Sequence, residues 1–249
     1  MSSPFRIETQ DADAARNLTE TLRIGGITPL STVDWPGQLS AVIFLQGCPW
    51  RCAYCHNNDL QSACGDGRVA WGHVEALLRL RHGLLDGVVF SGGEPTAQSE
   101  LPAAVKRVRE LGFSCALHTA GVYPRRLAAC LPDLDWIALD IKALPSEYEA
   151  LTGVPGSHAR VDESLDLLLA SGKSFECRTT VDWALLPPAD LVILGERLAA
   201  KGVTDFAVQI ARPAGADYRP HTGKGSNAHG GEDAIARLTA LFPRFSIRS

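Results

Sequence analysis

The sequence lacks the features that mark membrane and secreted proteins. It contains no uncharged apolar run that approaches the roughly 20 residues of a membrane-spanning helix, and residues 1–6 begin a polar segment without the apolar core of a secretion signal. We therefore expect a cytoplasmic protein that does not contact a membrane.

The sequence also lacks a strong excess of charge of either sign. It has 24 Lys and Arg against 28 Asp and Glu, which gives a formal net charge of −4 at pH 7. Such a chain presents no strong basic field, so we expect no nucleic-acid partner. Of its 249 residues, 45% are hydrophobic and 21% are charged, a composition that supports a full core and excludes a disordered or fibrous protein.

Six strand-like runs alternate with amphipathic helical stretches along most of the chain. A polar tail over residues 1–20 and a turn-rich lead-in or hairpin over 24–37 precede them. The strand-like runs are residues 41–46, 87–91, 113–119, 135–142, 174–182 and 203–210, and the helical stretches are 74–81, 101–111, 124–131, 162–170 and 189–200. This order predicts an α/β fold in a single domain over 21–249, with a parallel sheet that is either doubly wound or closed partly or fully into a barrel. The Gly and Pro content of residues 212–231 predicts a mobile loop before a last helix over 233–241.

Three of the seven cysteines lie directly after the first predicted strand. Cys48, Cys52 and Cys55 have the spacing Cys-x3-Cys-x2-Cys. An odd number of cysteines with such a cluster favours metal or redox chemistry over a disulfide framework. Three thiolates on a four-iron four-sulfur (4Fe-4S) cluster leave one iron open, whereas a closed zinc site needs a fourth ligand, for which His56 is the candidate. Zinc stays an alternative, although the chain shows no second ligand pair of the kind that zinc sites usually bring.

The other four cysteines carry weaker signals. Cys115 and Cys177 lie in strand-like runs and Cys130 at a helix end, where a free cysteine behaves as a small buried hydrophobe. Cys64, in the loop after the cluster, is the one candidate for a further metal ligand.

Three longer motifs accompany the cysteine spacing. They are Thr-Val-Asp-Trp-Pro-Gly at residues 32–37, Phe-Leu-Gln-Gly-Cys at 44–48 and Tyr-Cys-His-Asn at 54–57. Together they resemble the motifs of the radical S-adenosylmethionine (SAM) superfamily and, within it, of the activating enzymes of glycyl-radical enzymes. The resemblance extends over about residues 22–212 and is strongest to the activating proteins of anaerobic ribonucleoside-triphosphate reductases. It implies a partial (βα)6 barrel, with a parallel sheet and helices outside.

The resemblance also implies cofactors, chemistry and partners. Cys48, Cys52 and Cys55 would hold a 4Fe-4S cluster whose open iron binds SAM. Reductive cleavage of SAM would then yield methionine and a 5′-deoxyadenosyl radical, which takes a hydrogen atom from a glycine of a partner enzyme, with no catalytic residue beyond the cluster and SAM. The implied partners are a glycyl-radical enzyme, such as an anaerobic ribonucleotide reductase, and a low-potential electron donor such as flavodoxin or ferredoxin. A radical SAM enzyme that acts on a small molecule, such as 7-carboxy-7-deazaguanine synthase, is an alternative, although that family usually widens the first cysteine spacing.

Two of the predicted strands end in residues that resemble cofactor-binding motifs. Gly92, Gly93 and Glu94 resemble the family's Gly-Gly-Glu motif, which holds the methionine amino group, although an ordinary strand-to-helix turn would also explain them. Thr119 matches a cofactor-binding position of the related pyruvate formate-lyase activases. The neighbouring His118 replaces an aspartate of a monovalent-cation site in those enzymes, and an imidazole that bonds a backbone carbonyl is an equal alternative.

The next strand ends in Leu-Asp-Ile-Lys, in which alternation places Asp140 and Lys142 on the same side. By resemblance, Lys142 would pair with the methionine carboxylate, and Asp140 would balance it or hold a ribose or a cation; an internal salt bridge is the alternative. Tyr54, between two of the clustered cysteines, would pack against adenine or cover the cluster. The polar strand ends at residues 178–180 and 209–212 are further candidates for lining the site.

Overall fold

A computed structural model describes residues 19–52, 54–64, 67–211 and 230–248. The predicted tail over residues 1–20 and the predicted loop over 212–231 therefore lie almost wholly outside the described residues. The strands are β1 (Ile24–Ser31), β2 (Ser40–Leu45), β3 (Gly87–Gly92), β4 (Ser114–Thr119), β5 (Trp136–Asp140), β6 (Ser174–Val181), β7 (Asp205–Ile210) and β8 (Arg244–Arg248). The helices are α1 (Trp71–Leu80), α2 (Leu101–Glu110), α3 (Pro124–Cys130), α4 (Tyr148–Thr152), α5 (Ser157–Ser171), α6 (Pro188–Ala200) and α7 (Gly231–Leu241), with 3-10 turns at Asn58–Leu60, Pro95–Ala97, Leu131–Asp133 and Pro145–Glu147.

The α/β fold expected from the sequence is confirmed, with a mostly parallel sheet and helices between its strands. All six predicted strands are present as β2 to β7, and the lead-in contains β1, which forms an antiparallel pair with β2. The sequence analysis missed α4 and β8. The strand β8 is short, and its sequence Arg-Phe-Ser-Ile-Arg resembles a surface segment, yet it pairs in parallel with β7. Part of the reason is an ion pair from Arg248 to the buried Glu176 on β6, with nitrogen to oxygen distances of 2.6 and 2.8 Å.

The described residues group into two compact units. The first comprises the chain up to Pro49, Asp59–Thr119 and Arg125–Trp136, and in it β2, β3 and β4 pair in parallel in that order. Helix α2 shows why this unit folds. Four of its apolar residues recur at the spacing of one helical face and are fully buried: Leu101, Ala104, Val105 and Val108.

The second unit comprises Trp50–Asn58, Ala120–Pro124 and the chain from Ile137 onward. Strands β6, β7 and β8 pair in parallel in that order. Phe206 of β7 packs against Phe242 and Phe245, with ring centres 4.9 and 6.1 Å apart, and so anchors the C-terminal segment. Across the part of the chain that the structure describes, no helix is long and apolar enough to span a membrane.

Candidate active site

In the first unit, the segment that carries Cys48 is fixed through its backbone. The Gly47 N–H donates to the carbonyl of Leu60 at 2.7 Å, and the Cys48 N–H donates to the carbonyl of Gln61 at 3.0 Å. Gly47 has φ +100°, a left-handed conformation that favours glycine. The chain therefore leaves β2 in a turn that sets the direction of Cys48.

Gly92, the last residue of β3, packs against Leu45 of β2, and Gly93 packs against the Gly47 turn. The Gly93 N–H donates to the Leu45 carbonyl and the Glu94 N–H to the Gly47 carbonyl, both at 2.9 Å. A Cβ at position 93 would lie 2.6 Å from the Gly47 carbonyl oxygen and 2.8 Å from that of Leu60. The close approach that requires glycine here is thus to the chain's own cysteine-bearing turn.

The Glu94 carboxylate is only 1% exposed and is satisfied by hydroxyl and amide donors of the same unit. Its Oε1 accepts hydrogen bonds from the Thr96 N–H at 3.1 Å, the Thr96 hydroxyl at 2.5 Å and the Thr119 hydroxyl at 2.6 Å. The structure therefore brings Glu94 and Thr119 together, as parts of one buried network. Glu94 also caps the 3-10 turn that follows it. This cap agrees with the ordinary strand-to-helix turn that the sequence analysis gave as the alternative to a cofactor-binding motif.

Gln98 is another buried polar residue of the first unit, and the sequence analysis missed its role. Its buried carboxamide accepts from the Arg23 N–H at 2.9 Å and donates to the carbonyls of Arg23 at 2.9 Å and Gln46 at 3.0 Å. It thereby ties the start of β1 to the residue that precedes Gly47. No local signal reveals this role, because the partners are distant in sequence.

The His118 imidazole bonds a backbone carbonyl, which is the role that the sequence analysis gave as the alternative to a monovalent-cation site. Its Nε2 lies 2.7 Å from the carbonyl oxygen of Asp34, and its Nδ1 lies 3.4 Å from the Ser91 hydroxyl. The ring also meets the edge of Trp136, with the ring centres 5.9 Å apart. His118 therefore holds the segment before β2 onto the end of β4.

In the second unit, Cys52 and Cys55 lie in a tight turn. The Cys55 N–H donates to the Cys52 carbonyl at 3.1 Å. Burial raises the pKa of the Cys52 thiol, and the nearby Lys142 partly offsets this effect. A cation beside the turn favours the thiolate, which is the form that binds iron.

Asp140 and Lys142 lie together with a third charged residue, Arg178 of β6. The Arg178 Nε donates to one Asp140 carboxylate oxygen at 2.8 Å, and the Lys142 Nζ lies 3.4 Å from the other. Burial alone would lower the pKa of Lys142, but the Asp140 carboxylate raises it well above its ordinary value, so the lysine is charged. Of these two cations, the arginine thus makes the shorter contact with the aspartate, while the lysine makes a single long hydrogen bond within the described residues.

Tyr54 adds a second donor beside Lys142. The Lys142 Nζ lies 5.8 Å from the centre of the Tyr54 ring. The Tyr54 hydroxyl is buried and has no hydrogen-bond partner among the described residues, and burial raises the pKa of the phenol. The partly buried Lys142 ammonium has N–H groups that these contacts leave unused, and such a charged donor fits an anionic acceptor such as a carboxylate.

The cysteines differ in environment as the sequence suggested. Cys48, Cys52 and Cys55 are partly exposed, Cys64 is exposed and the other three are buried; none forms a disulfide. Burial raises the pKa of Cys115 and Cys177 and raises that of Cys130 to about 12, as expected of inert thiols. In the described ranges, no three side chains of His, Cys, Asp or Glu are placed together to bind a metal ion. Three thiols within one short segment are nevertheless the donor set that a 4Fe-4S cluster requires.

Comparisons with known proteins agree on one family. The model of the Radical SAM superfamily matches residues 42–187. A Methanocaldococcus jannaschii protein with the provisional name glycyl-radical enzyme activating enzyme is 29% identical over 201 residues, which cover 76% of this chain and 80% of that protein. The pyruvate formate-lyase-activating enzyme of Clostridium pasteurianum is 37% identical over 139 residues, 53% of this chain and 57% of that enzyme.

A 7-carboxy-7-deazaguanine synthase from Thermococcus kodakarensis is 29% identical over 159 residues, 55% of this chain and 61% of the synthase. The chain thus spans little more than half the length of the pyruvate formate-lyase activase and of the synthase.

Solved structures support the same fold. QueE from Escherichia coli superposes with a TM-score of 0.59 at 18% identity, over 94% of this chain and 98% of that one. Streptococcus suis SuiB bound to S-adenosylmethionine has a TM-score of 0.60 at 17% identity, over 81% of this chain and 48% of that one. The family model covers more than half of the sequence, and the chain therefore belongs to the radical SAM superfamily, whose members are enzymes that use a 4Fe-4S cluster and SAM.

Proposed function

We propose that this enzyme generates a glycyl radical on a partner enzyme. The relative that aligns over 80% of its own length carries the name of a glycyl-radical enzyme activating enzyme, and several pyruvate formate-lyase activases also match. The structural observation that supports the proposal is the pair of Lys142 and Tyr54, because the partly buried ammonium and the buried hydroxyl keep hydrogen-bond donors for an anionic cofactor group.

Each residue has a defined part in this proposal. Cys48, Cys52 and Cys55 hold the 4Fe-4S cluster, and Lys142 pairs with the methionine carboxylate. The cluster and SAM, when bound, supply the reducing electron and the radical that abstracts a hydrogen atom.

Other residues support those contacts. Asp140 contacts the Lys142 ammonium, and Arg178 holds Asp140 in place. Glu94 and Thr119 keep the turn after β3 against the Cys48 segment. The backbone of Gly92 and Gly93 faces the amino group, and the Tyr54 ring covers the adenine.

More specifically, we propose that the partner enzyme is an anaerobic ribonucleoside-triphosphate reductase. Flavodoxin or ferredoxin would donate the electron, and the reaction would take place in the cytoplasm. The motifs at residues 32–37 and 54–57 support this choice of partner.

The second candidate is a radical SAM enzyme that acts on a small molecule. The similarity to 7-carboxy-7-deazaguanine synthase favours it, whereas the Cys48-x3-Cys52 spacing does not. A non-catalytic zinc module is a weaker alternative now that the chain is assigned to an enzyme superfamily.

Electron paramagnetic resonance distinguishes the two enzymatic functions. The reconstituted protein is mixed anaerobically with reductant, SAM and the candidate reductase. A glycine-centred doublet that requires this protein supports the proposal. Turnover of a free small molecule without a partner enzyme, and no doublet with any candidate, would contradict it.

A further inference from the structure

We propose that Tyr148 is a positioning residue that ties the Lys142 backbone to the cysteine-bearing segment Trp50–Asn58. This inference rests on the proposed role of Lys142 in SAM binding. Tyr148 lies in the short helix α4 and belongs to no motif that the sequence analysis identified.

The first contact is made by the Tyr148 hydroxyl. It accepts a hydrogen bond from the Lys142 N–H at 2.8 Å. Lys142 lies two residues beyond the end of β5, so no strand partner holds its amide. The hydroxyl of Tyr148 therefore fixes the point from which the Lys142 side chain leaves the backbone.

The second contact is made by the Tyr148 ring. The ring is 2% exposed and meets Trp50 edge to face, with the ring centres 6.1 Å apart. Trp50 is two residues before Cys52, and both aromatic side chains are almost fully buried. Aromatic pairs prefer an edge-to-face arrangement such as this one, which favours one relative position of the two rings.

The third contact runs through the end of the same helix. The Arg51 N–H donates to the Thr152 carbonyl at 2.9 Å, and the Thr152 hydroxyl donates to the Tyr148 carbonyl at 2.7 Å. Helix α4 thus contacts two residues that precede Cys52, Trp50 through the Tyr148 ring and Arg51 through the Thr152 carbonyl. Through the Tyr148 hydroxyl, the same helix also binds the Lys142 backbone. A shift of Tyr148 would move the lysine and the turn relative to each other.

Tyr148→Phe is the direct test, because it removes the hydroxyl and keeps the ring on Trp50. We expect unchanged iron content and a SAM affinity lowered about threefold to tenfold, the effect of one neutral hydrogen bond that acts through another residue. The matched control is Ser171→Ala, which removes a 2.7 Å hydrogen bond to the Leu168 carbonyl at the far end of α5. This control should bind SAM as the wild type does.

Two further measurements separate positioning from a general loss of structure. In the Lys142→Ala background, Tyr148→Phe should change SAM affinity less than twofold, because the group that it positions has gone. In the cofactor-free protein, hydrogen exchange of the Lys142 amide should accelerate in Tyr148→Phe, whereas the Ile141 amide, bonded to the Arg178 carbonyl at 2.8 Å, should not change.

Three outcomes would overturn the proposal for Tyr148. They are equal SAM affinity of Tyr148→Phe and the wild type, an undiminished effect in the Lys142→Ala background, and unaltered exchange at Lys142. If the wild type itself failed to bind SAM, the proposed function would fail first. The hydrogen-exchange result, which needs no cofactor, would still decide whether Tyr148 holds the Lys142 backbone.

Discussion

The two compact units use their buried polar groups differently. In the first, the candidate residues Glu94, Thr119 and His118 bond to partners within that unit. In the second, the Lys142 ammonium makes one long hydrogen bond and the Tyr54 hydroxyl makes none within the described chain. Internal bonds stabilise the fold, whereas unused buried donors cost stability unless a ligand accepts from them. Glu94, Thr119 and His118 therefore support the cysteine-bearing turn and the strand ends, whereas Lys142 and Tyr54 keep donors for a ligand.

The largest expected effect is on the cluster. Cys52→Ala should abolish the broad absorbance near 400 nm and the bound iron, because three thiolates are the minimum set for a cluster with one open iron. Cys48→Ala and Cys55→Ala should do the same, although Cys48 belongs to the first unit. Cys64→Ala is the control and should keep the cluster. Equal loss of iron in Cys64→Ala and Cys52→Ala would show that the assignment of three ligands is wrong.

The next effect concerns ligand binding in the second unit. Lys142→Ala should leave the iron content unchanged and weaken SAM binding by about 1.5–3 kcal/mol, roughly tenfold to hundredfold, because a charge-assisted contact is lost. Calorimetric titration of the reconstituted protein measures it. Unchanged SAM affinity would mean that Asp140 and Lys142 form only an internal salt bridge. The second unit would then offer no charged donor to the ligand, and its difference from the first unit would disappear.

In the first unit the matching change is Gly93→Ala, which should affect folding before binding. The added Cβ would meet two carbonyl oxygens of the backbone, those of Gly47 and Leu60, and we expect a cost of about 1–3 kcal/mol in the free energy of unfolding. Gly26→Ala is the control, since a Cβ there has no neighbour within 4 Å and the backbone is extended. Denaturant unfolding of both variants checks the expectation. Equal stability of the two would mean that the Gly47 turn can move freely.

The sequence predicted the strands and the motifs because their signals are local. Continuous apolar runs marked β2 to β7, and alternation placed Asp140 and Lys142 on one side of the chain. It could not predict Gln98 or Tyr148. Gln98 bonds Arg23 across 75 positions, and Tyr148 meets Trp50 from a helix of only five residues. A polar residue in a loop resembles surface until its distant partners are known.

The smallest expected effect is on the free energy of unfolding and concerns Glu75, a charged residue of the first unit. We expect Glu75 to stabilise the fold without affecting ligand binding, unlike Lys142 of the second unit. Glu75 of α1 accepts hydrogen bonds from the Arg107 guanidinium of α2 at 2.7 and 3.0 Å and from Trp71 and Arg79. These donors, chiefly Arg107, lower the pKa of Glu75 to about 2 from its ordinary 4.5. Its contribution to stability is therefore complete above about pH 4.5 and is lost as the pH falls toward 2.

Glu75→Gln should remove that part of the acid sensitivity. We expect it to lower the free energy of unfolding at pH 7 by about 1 kcal/mol, less than the pKa shift would imply for a dry pair, because water reaches the carboxylate. The difference from the wild type should shrink between pH 4.5 and 2. SAM affinity at pH 7 should not change, in contrast to Lys142→Ala. A constant stability difference across that range would contradict the low pKa, and weakened SAM binding would contradict a purely structural role for Glu75.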